Sequence, residues 1–295
     1  MTASADSNRD LFWAIRGAGG AFGIVVDFKF RTFDVPETNV VFTYNLSPKN
    51  TTQVTKWLTA LQDFAIYDQP AELDIRMFLP SSLTGVYHGN RSNFDTIIAP
   101  LLAKLDIPAG SGKVTVNGWI DTLTHFAFGP LQQAEVYDTH ENFFAKSLMP
   151  EALPPAALYA MADYYFTTAK NNTRSWYLLI DLHGGKSSAV SAVGPDETSY
   201  AHRKAIFKMQ FYDRIMPNNA TYKPEWMGFM NGWVKAIEDA ANGEKYGMYI
   251  NYADTSLQKT EAHSRYWGKH YDRLVKVKQA YDPYKAFLGP QLVGS

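Results

Sequence analysis

Apolar residues recur along this chain with two periods, and the changes between them predict its elements. From Asp10 to Arg16 the pattern is that of one short amphipathic helix, ended by the glycine-rich turn Gly17-Ala-Gly-Gly-Ala-Phe-Gly23. Strict alternation follows. Phe22, Ile24, Val26, Phe28 and Phe30 fall on one side and Asp27, Lys29 and Arg31 on the other, which predicts a long strand. A second strand is expected over Val40–Tyr44. Val54, Trp57, Leu58, Leu61, Phe64 and Ala65 then follow helical spacing over Gln53–Ile66. Strands are predicted at Leu73–Leu79 and Gly85–His88, then a helix after Ser92 as N-cap with Phe94, Ile97, Ile98, Leu101, Leu102 and Leu105 inward.

Beyond Lys113 the pattern predicts a strand over Lys113–Gly118 and a loop-rich, aromatic stretch through Phe144. A helix is expected from Pro154-Pro155 to Asp163, with strands at Trp176–Leu182 and Ile206–Tyr212. Pro224–Ala241 reads as a helix with Trp226, Met230, Trp233 and Ile237 inward, and Tyr246–Tyr252 as a short strand. A last helix over Tyr266–Tyr281 stops before Asp282-Pro283. Strands clustered with helices predict an α+β fold, a large and mostly antiparallel sheet with helices on one face. The other face is then the place to look for a site.

Composition narrows the function classes. The chain has 295 residues, 46% apolar and 15% aromatic, so it can bury a sizeable core. Its formal net charge is −1 and its basic residues form no block, which argues against a nucleic-acid partner. No apolar run approaches the roughly 18 residues that cross a bilayer. Cysteine is absent, which excludes disulfides, zinc–cysteine sites and thiol nucleophiles within the chain. The seven histidines are scattered without metal-ligand spacing, so no metal site is expected. Five N-x-S/T sequons, at Asn45, Asn50, Asn90, Asn171 and Asn219, favour a secreted glycoprotein, although Met1–Asp10 carries no secretory apolar core.

Three stretches taken together are specific. They are Asn8-Arg-Asp-Leu-Phe-Trp-Ala-Ile-Arg-Gly-Ala-Gly-Gly-Ala-Phe-Gly-Ile-Val25, Asn251-Tyr-Ala-Asp254, and Tyr266-Trp-Gly running through Tyr271-Asp-Arg-Leu and Tyr281-Asp-Pro to Gly289-Pro-Gln291. In this order and spacing the chain resembles the vanillyl-alcohol-oxidase-type FAD flavoproteins, in their berberine-bridge-enzyme-like branch. Tyr137-Asp-Thr-His-Glu-Asn-Phe-Phe-Ala-Lys-Ser147 and Asp181-Leu-His-Gly-Gly185 resemble the fungal oligosaccharide oxidases within it. The resemblance implies that residues 1–36 are the end of an FAD-binding domain, 37–255 a substrate-binding domain, and 256–295 a segment returning to the FAD side. It also implies that the first half of the FAD domain, with the histidine and cysteine that bond covalently to the flavin, is missing from this chain. Gly19, Gly20, Gly23, Ile24 and Asn251 are then the expected cofactor-facing residues.

Period two on the Trp176–His183 strand puts Tyr177, Leu179, Asp181 and His183 on one face, opposite Leu178, Ile180 and Leu182. A flat ring beside a carboxylate suits a sugar site, and equally an ordinary solvated sheet face. Lys208, Gln210 and Tyr212 share a face on a neighbouring strand. Asp74 and Arg76 share another, as site residues or as a local ion pair. The resemblance implies that Tyr177 and Gln210 contact substrate, while Leu179 stands where a polar residue is expected. It further implies that Tyr252 is the base that takes the hydroxyl proton of an alcohol. A phenol of ordinary pKa near 10 needs help in that role, and Tyr249 is the expected helper. Asp138, Thr139, His140 and Glu141 read as a structural or channel-lining loop, and His183 as the brace of a turn. The expected activity is oxidation of an oligosaccharide's anomeric hydroxyl to a lactone, with oxygen as acceptor and hydrogen peroxide as product. The alternatives are a secondary-metabolite alcohol oxidase and an inactive, carbohydrate-binding truncated form.

Overall fold

Among the described residues, seven strands hydrogen-bond in the order β4-β1-β3-β2-β6-β7-β5, every neighbouring pair antiparallel. They are β1 (Asn39–Asn45), β2 (Leu73–Leu79), β3 (Ser82–Tyr87), β4 (Lys113–Asn117), β5 (Phe143–Leu148), β6 (Ser175–Leu182) and β7 (Phe207–Arg214). The computed structural model describes all residues but 109, 128, 131–140 and 217–219. The helices are α1 (Arg9–Ala18), α2 (Thr51–Asp63), α3 (Arg91–Lys104), α4 (Trp119–Phe126), α5 (Pro155–Thr167), α6 (Ala189–Ala192), α7 (Met227–Ala240), α8 (Lys259–Trp267) and α9 (Tyr271–Tyr281).

One sheet face packs on α2, α3, α5 and α7. Phe42, Ile75, Met77, Leu83, Ile180, Phe207 and Phe211 point into that layer and are at most 1% exposed. Alternation along each strand leaves the opposite face to polar and aromatic side chains, as the sequence pattern predicts. The chain is thus α+β with helices on one face of an antiparallel sheet. Helix α1 packs instead against α9, where Arg273 lies over the Trp13 ring and pairs with Asp10.

Several local expectations need correction. Residues 23–36 form no strand, although their alternation is strict. A strand needs a ladder partner, and no described strand lies beside this segment, so Ile24, Val26, Phe28 and Phe30 stay 80%, 91%, 64% and 77% exposed. Asn90, not Ser92, caps α3, accepting from the Asn93 amide at 2.9 Å. The stretch read as loop through Phe144 holds α4 and β5; in β5 the buried polar residues Lys146 and Ser147 mask the alternation. Tyr246–Tyr252 makes only an isolated bridge, Met149 to Gly247, and then a 3-10 turn over Ile250–Tyr252. The final helix begins earlier and breaks in two at Gly268, whose φ of 48° stops α8 before α9 restarts.

In the glycine-rich turn it is Gly17 that close packing requires. A Cβ there would stand 2.3 Å from the Tyr200 backbone nitrogen, whereas Gly19, Gly20 and Gly23 would meet nothing within 4 Å. Gly17→Ala therefore forces α1 away from the Ser199–Tyr200 backbone. We expect it to cost about 2–3 kcal/mol, read as a lowered urea midpoint, while Gly20→Ala leaves the midpoint in place.

Candidate functional site

Strand register assembles the site. Thr43, Thr84, Arg76, Asp181 and Lys208 are successive cross-strand partners on β1, β3, β2, β6 and β7, so they form one polar row across five strands of the open face. Arg76 donates to Asp181 through Nε to Oδ1 at 2.5 Å and Nη2 to Oδ2 at 3.2 Å, and Lys208 Nζ reaches the same Oδ2 at 3.0 Å. Arg76 therefore pairs across the sheet with Asp181 and not locally with Asp74. Burial works to raise the pKa of Asp181, but the Arg76 hydrogen bond and the Lys208 charge bring it below the carboxylate range. Burial and the charge of Asp181 raise that of Asp74.

The row floors a trough of about 570 Å³ that also reaches His125, Phe126 and His183. A second cavity, of about 850 Å³, shares His183, Val190 and Lys208 with the first. Its wall includes Gly19, Gly20 and Asn251, three of the five residues expected to face a cofactor, together with Arg203 and Lys259. Gly23 and Ile24 lie outside both linings, and Ile24 points into solvent. His183 stands where the cavities meet, at 2.8 Å from the Tyr200 hydroxyl, and burial beside Lys208 pushes its pKa down to about 4. It is a neutral imidazole at pH 7, fastened to the Tyr200 segment.

The 3-10 turn Ile250–Tyr252 brings Tyr252 within reach of the charges of Lys208, Asp181 and Arg76. Burial raises the phenol above its ordinary pKa, and the cations Lys208 and Arg76 oppose that rise. Tyr249, the expected helper, meets the Tyr252 ring edge-on with centroids 5.2 Å apart, but its hydroxyl accepts from Asn251 at 2.8 Å. Charge on Tyr249 raises the Tyr252 pKa further, whereas Lys208 and Arg76 lower it. Lys208 is visible in the sequence only as one residue on a polar strand face.

The next row, Phe78–Leu179–Gln210–Ser147, is less polar. Leu179 is 6% exposed, and Gln210 lies between it and Ser147. One face of Tyr177 is already taken, since its ring stacks on Tyr212 at 4.7 Å and 8°, with Phe78 against its edge. Glu141 holds both Tyr212 and Arg214; Asp138, Thr139 and His140 lie outside the described residues.

The three distant sequence stretches converge in space. Trp267 Nε1 donates to the Gly17 carbonyl at 3.2 Å. The Asp254 amide donates to the Tyr266 hydroxyl at 2.9 Å, which donates to Gln291, and Gln291 returns a 2.7 Å bond to the Asp254 carbonyl. Lys278 reaches the Ala21 carbonyl, tying α9 to the glycine turn.

Comparison with known proteins agrees with this convergence. Residues 248–293 match the family described as berberine and berberine like. The xylooligosaccharide oxidase of Thermothelomyces thermophilus is 40% identical over 99% of this chain and 60% of its own length. The structure of xylooligosaccharide oxidase from Myceliophthora thermophila C1 in complex with xylobiose superposes with a TM-score of 0.88 at 38% identity, covering 98% of this chain and 62% of that one. A glucooligosaccharide oxidase structure from Acremonium strictum, described with a 6-S-cysteinyl, 8α-N1-histidyl FAD, gives 0.89 at 37%, covering 98% and 62%. The chain thus spans about 60% of the length of these relatives. Fold, converging sequence stretches and these likenesses thus agree: residues 248–293 carry the berberine and berberine like match, and along nearly its whole length the chain is similar to fungal oligosaccharide oxidases.

Proposed function

We propose that this chain is the substrate side of an FAD-dependent oxidase that converts the anomeric hydroxyl of an oligosaccharide to a lactone, with hydrogen peroxide as the second product. One observation carries this reading: the Arg76–Asp181–Lys208 row runs to the meeting point of two cavities, with Tyr252 inside its field. The trough over the row would take the sugar, its hydroxyls facing Asp181, Arg76 and the threonines. The second cavity fits a flavin on its own chemistry: Gly19 and Gly20 leave open space where side chains would stand, and Arg203, Lys208 and Lys259 supply positive charge for an anionic cofactor. When bound, the flavin supplies the hydride acceptor and passes the electrons on to oxygen.

The chain's own part is proton handling and orientation. Tyr252 accepts the hydroxyl proton, Lys208 and Arg76 hold down the cost of its phenolate, and Asp181 keeps both cations in place. On this reading, residues 1–36 and 256–295 belong to the FAD side and 37–255 to the substrate side. The sequon residues Asn45, Asn50, Asn90 and Asn171 are all exposed, which supports a secreted glycoprotein.

The test is anaerobic addition of xylo-, cello- and chito-oligosaccharides to the purified yellow protein. Bleaching of the flavin by one of them, and peroxide release once air is admitted, are the expected results. Leu179 favours a second reading, a secondary-metabolite alcohol oxidase, because it places an apolar surface beside the row. Bleaching by an apolar alcohol and by none of the sugars would select that reading. A folded but colourless protein would instead select the inactive, carbohydrate-binding truncated form for this chain.

A further inference from the structure

A buried charge pair on the far side of the sheet remains without a role in this chemistry. Lys146 and Asp254 have side chains 5% and 0% exposed and form an ion pair. Taking two charges out of water costs about as much as their attraction returns, so a packed Met and Leu would serve stability equally well. What the pair holds is the turn that carries Tyr252.

That turn hooks over the edge of β5. On the open face, opposite Gln210, Ser147 Oγ accepts from the Tyr249 amide at 2.8 Å. On the helix face, opposite Phe211, Lys146 grips Asp254. Asp254 is itself locked, since its Oδ1 accepts from the Ser256 amide at 2.9 Å and the Ser256 hydroxyl at 2.6 Å. Its backbone closes the ring with Tyr266 and Gln291 described above. Two adjacent residues of one edge strand thus clamp both ends of the Tyr249–Asp254 segment, and Tyr252 stands between the clamps. Its amide donates to the Tyr249 carbonyl at 2.9 Å, so the turn follows the clamped ends.

We propose that Lys146 and Asp254, with Ser147, are positioning residues that fix where the Tyr252 phenol stands relative to Lys208 and Arg76. This rests on the reading of Tyr252 as the proton acceptor. Neither Lys146 nor Asp254 lines the trough or the second cavity.

Two variants of the full protein test it: Asp254→Asn, and the double variant Lys146→Met with Asp254→Leu. The single variant strands a buried ammonium and lowers Tm by about 10 °C; the double variant recovers most of that loss. In both, amide hydrogen exchange over residues 249–256 speeds up at least about tenfold. In both, the Tyr252 phenol, followed by ¹³Cζ NMR, titrates nearer to the ordinary value of about 10 as it leaves its buried setting. Where the wild type is reduced by a sugar, kcat falls about 10–100-fold with KM little changed, in the double variant despite its recovered Tm. A double variant with wild-type exchange and a wild-type Tyr252 titration would overturn the proposal, leaving the pair a matter of stability alone. If the double variant does not fold, the single variant's exchange and titration decide in the same way. Should no sugar reduce the wild-type flavin, the oxidase reading falls, while exchange and titration still judge the clamp.

Discussion

Replacing Tyr252 by phenylalanine lowers the rate of flavin reduction by sugar about 10²–10⁴-fold, the range expected when a positioned proton acceptor is removed. The ring keeps its place against Tyr249, so substrate binding and the flavin spectrum change little. The loss appears in kcat and kcat/KM equally, because the interaction removed exists only as the proton leaves. The electrostatics sharpen the expectation. Burial raises the phenol's pKa, and each unit of rise adds about 1.4 kcal/mol to the cost of the phenolate. Lys208 is the largest opposing influence, so Lys208→Met moves the rising limb of the kcat profile to higher pH, in addition to slowing turnover. Stopped-flow reduction of the wild type and both variants across pH checks this. Reduction of Tyr252→Phe at the wild-type rate would remove Tyr252 from the chemistry.

Acid weakens this fold well above the carboxylate range. Burial pushes both His183 and His202 down to about 4, in His202 against the opposing hydrogen bonds of the Met248 and Tyr266 backbone. An unfolded chain protonates these imidazoles near pH 6.5. Between pH 6.5 and 4 the unfolded state therefore binds the protons that the folded state refuses, and stability falls as pH falls. Below about 4 the folded state takes them up as well, and the histidine contribution levels off. The span implies at most about 3 kcal/mol for each group. Urea unfolding at pH 7 and pH 4.5 should show a large drop, and His202→Gln should flatten the slope between them. Asp181 acts lower on the scale. Its folded pKa is depressed, so its contribution is present above the ordinary carboxylate value and is lost only as pH drops through the depressed one.

Most of the fold was legible because burial is written into side-chain periodicity. β2 and β6 match their predicted bounds to within one residue, and α2 buries Val54, Trp57, Leu58 and Leu61 and α7 buries Met230, Trp233 and Ile237 as spacing assigns, while Trp226 precedes α7 in a 3-10 turn and is only half-buried. The failures share one cause, that periodicity reports faces and not partners. The alternation over Phe22–Phe30 is real, yet no neighbouring strand is there to receive it. β5 was obscured because Lys146 and Ser147 break an apolar run for the sake of contacts more than a hundred residues away. The same limit governs the site. Period two placed Asp181 with Tyr177, and Lys208 with Gln210, on matching faces. Only strand order and register reveal that Arg76, Asp181 and Lys208 are neighbours, so that the charges of Lys208 and Arg76 both lower the pKa of the Tyr252 phenol where that of Tyr249 raises it.

The unpaired segment also bears on how the chain behaves in isolation. At the β5 margin the hook over residues 247–256 shields the sheet from strand addition. Residues 24–35 offer the opposite: an extended backbone laddered to no described strand beside a row of exposed apolar side chains, the kind of surface on which a second chain can lay a strand of its own. Association of the 295-residue chain through that stretch, by backbone pairing and oily contact in place of charge, is expected to strengthen with added salt, which light scattering across salt concentration checks.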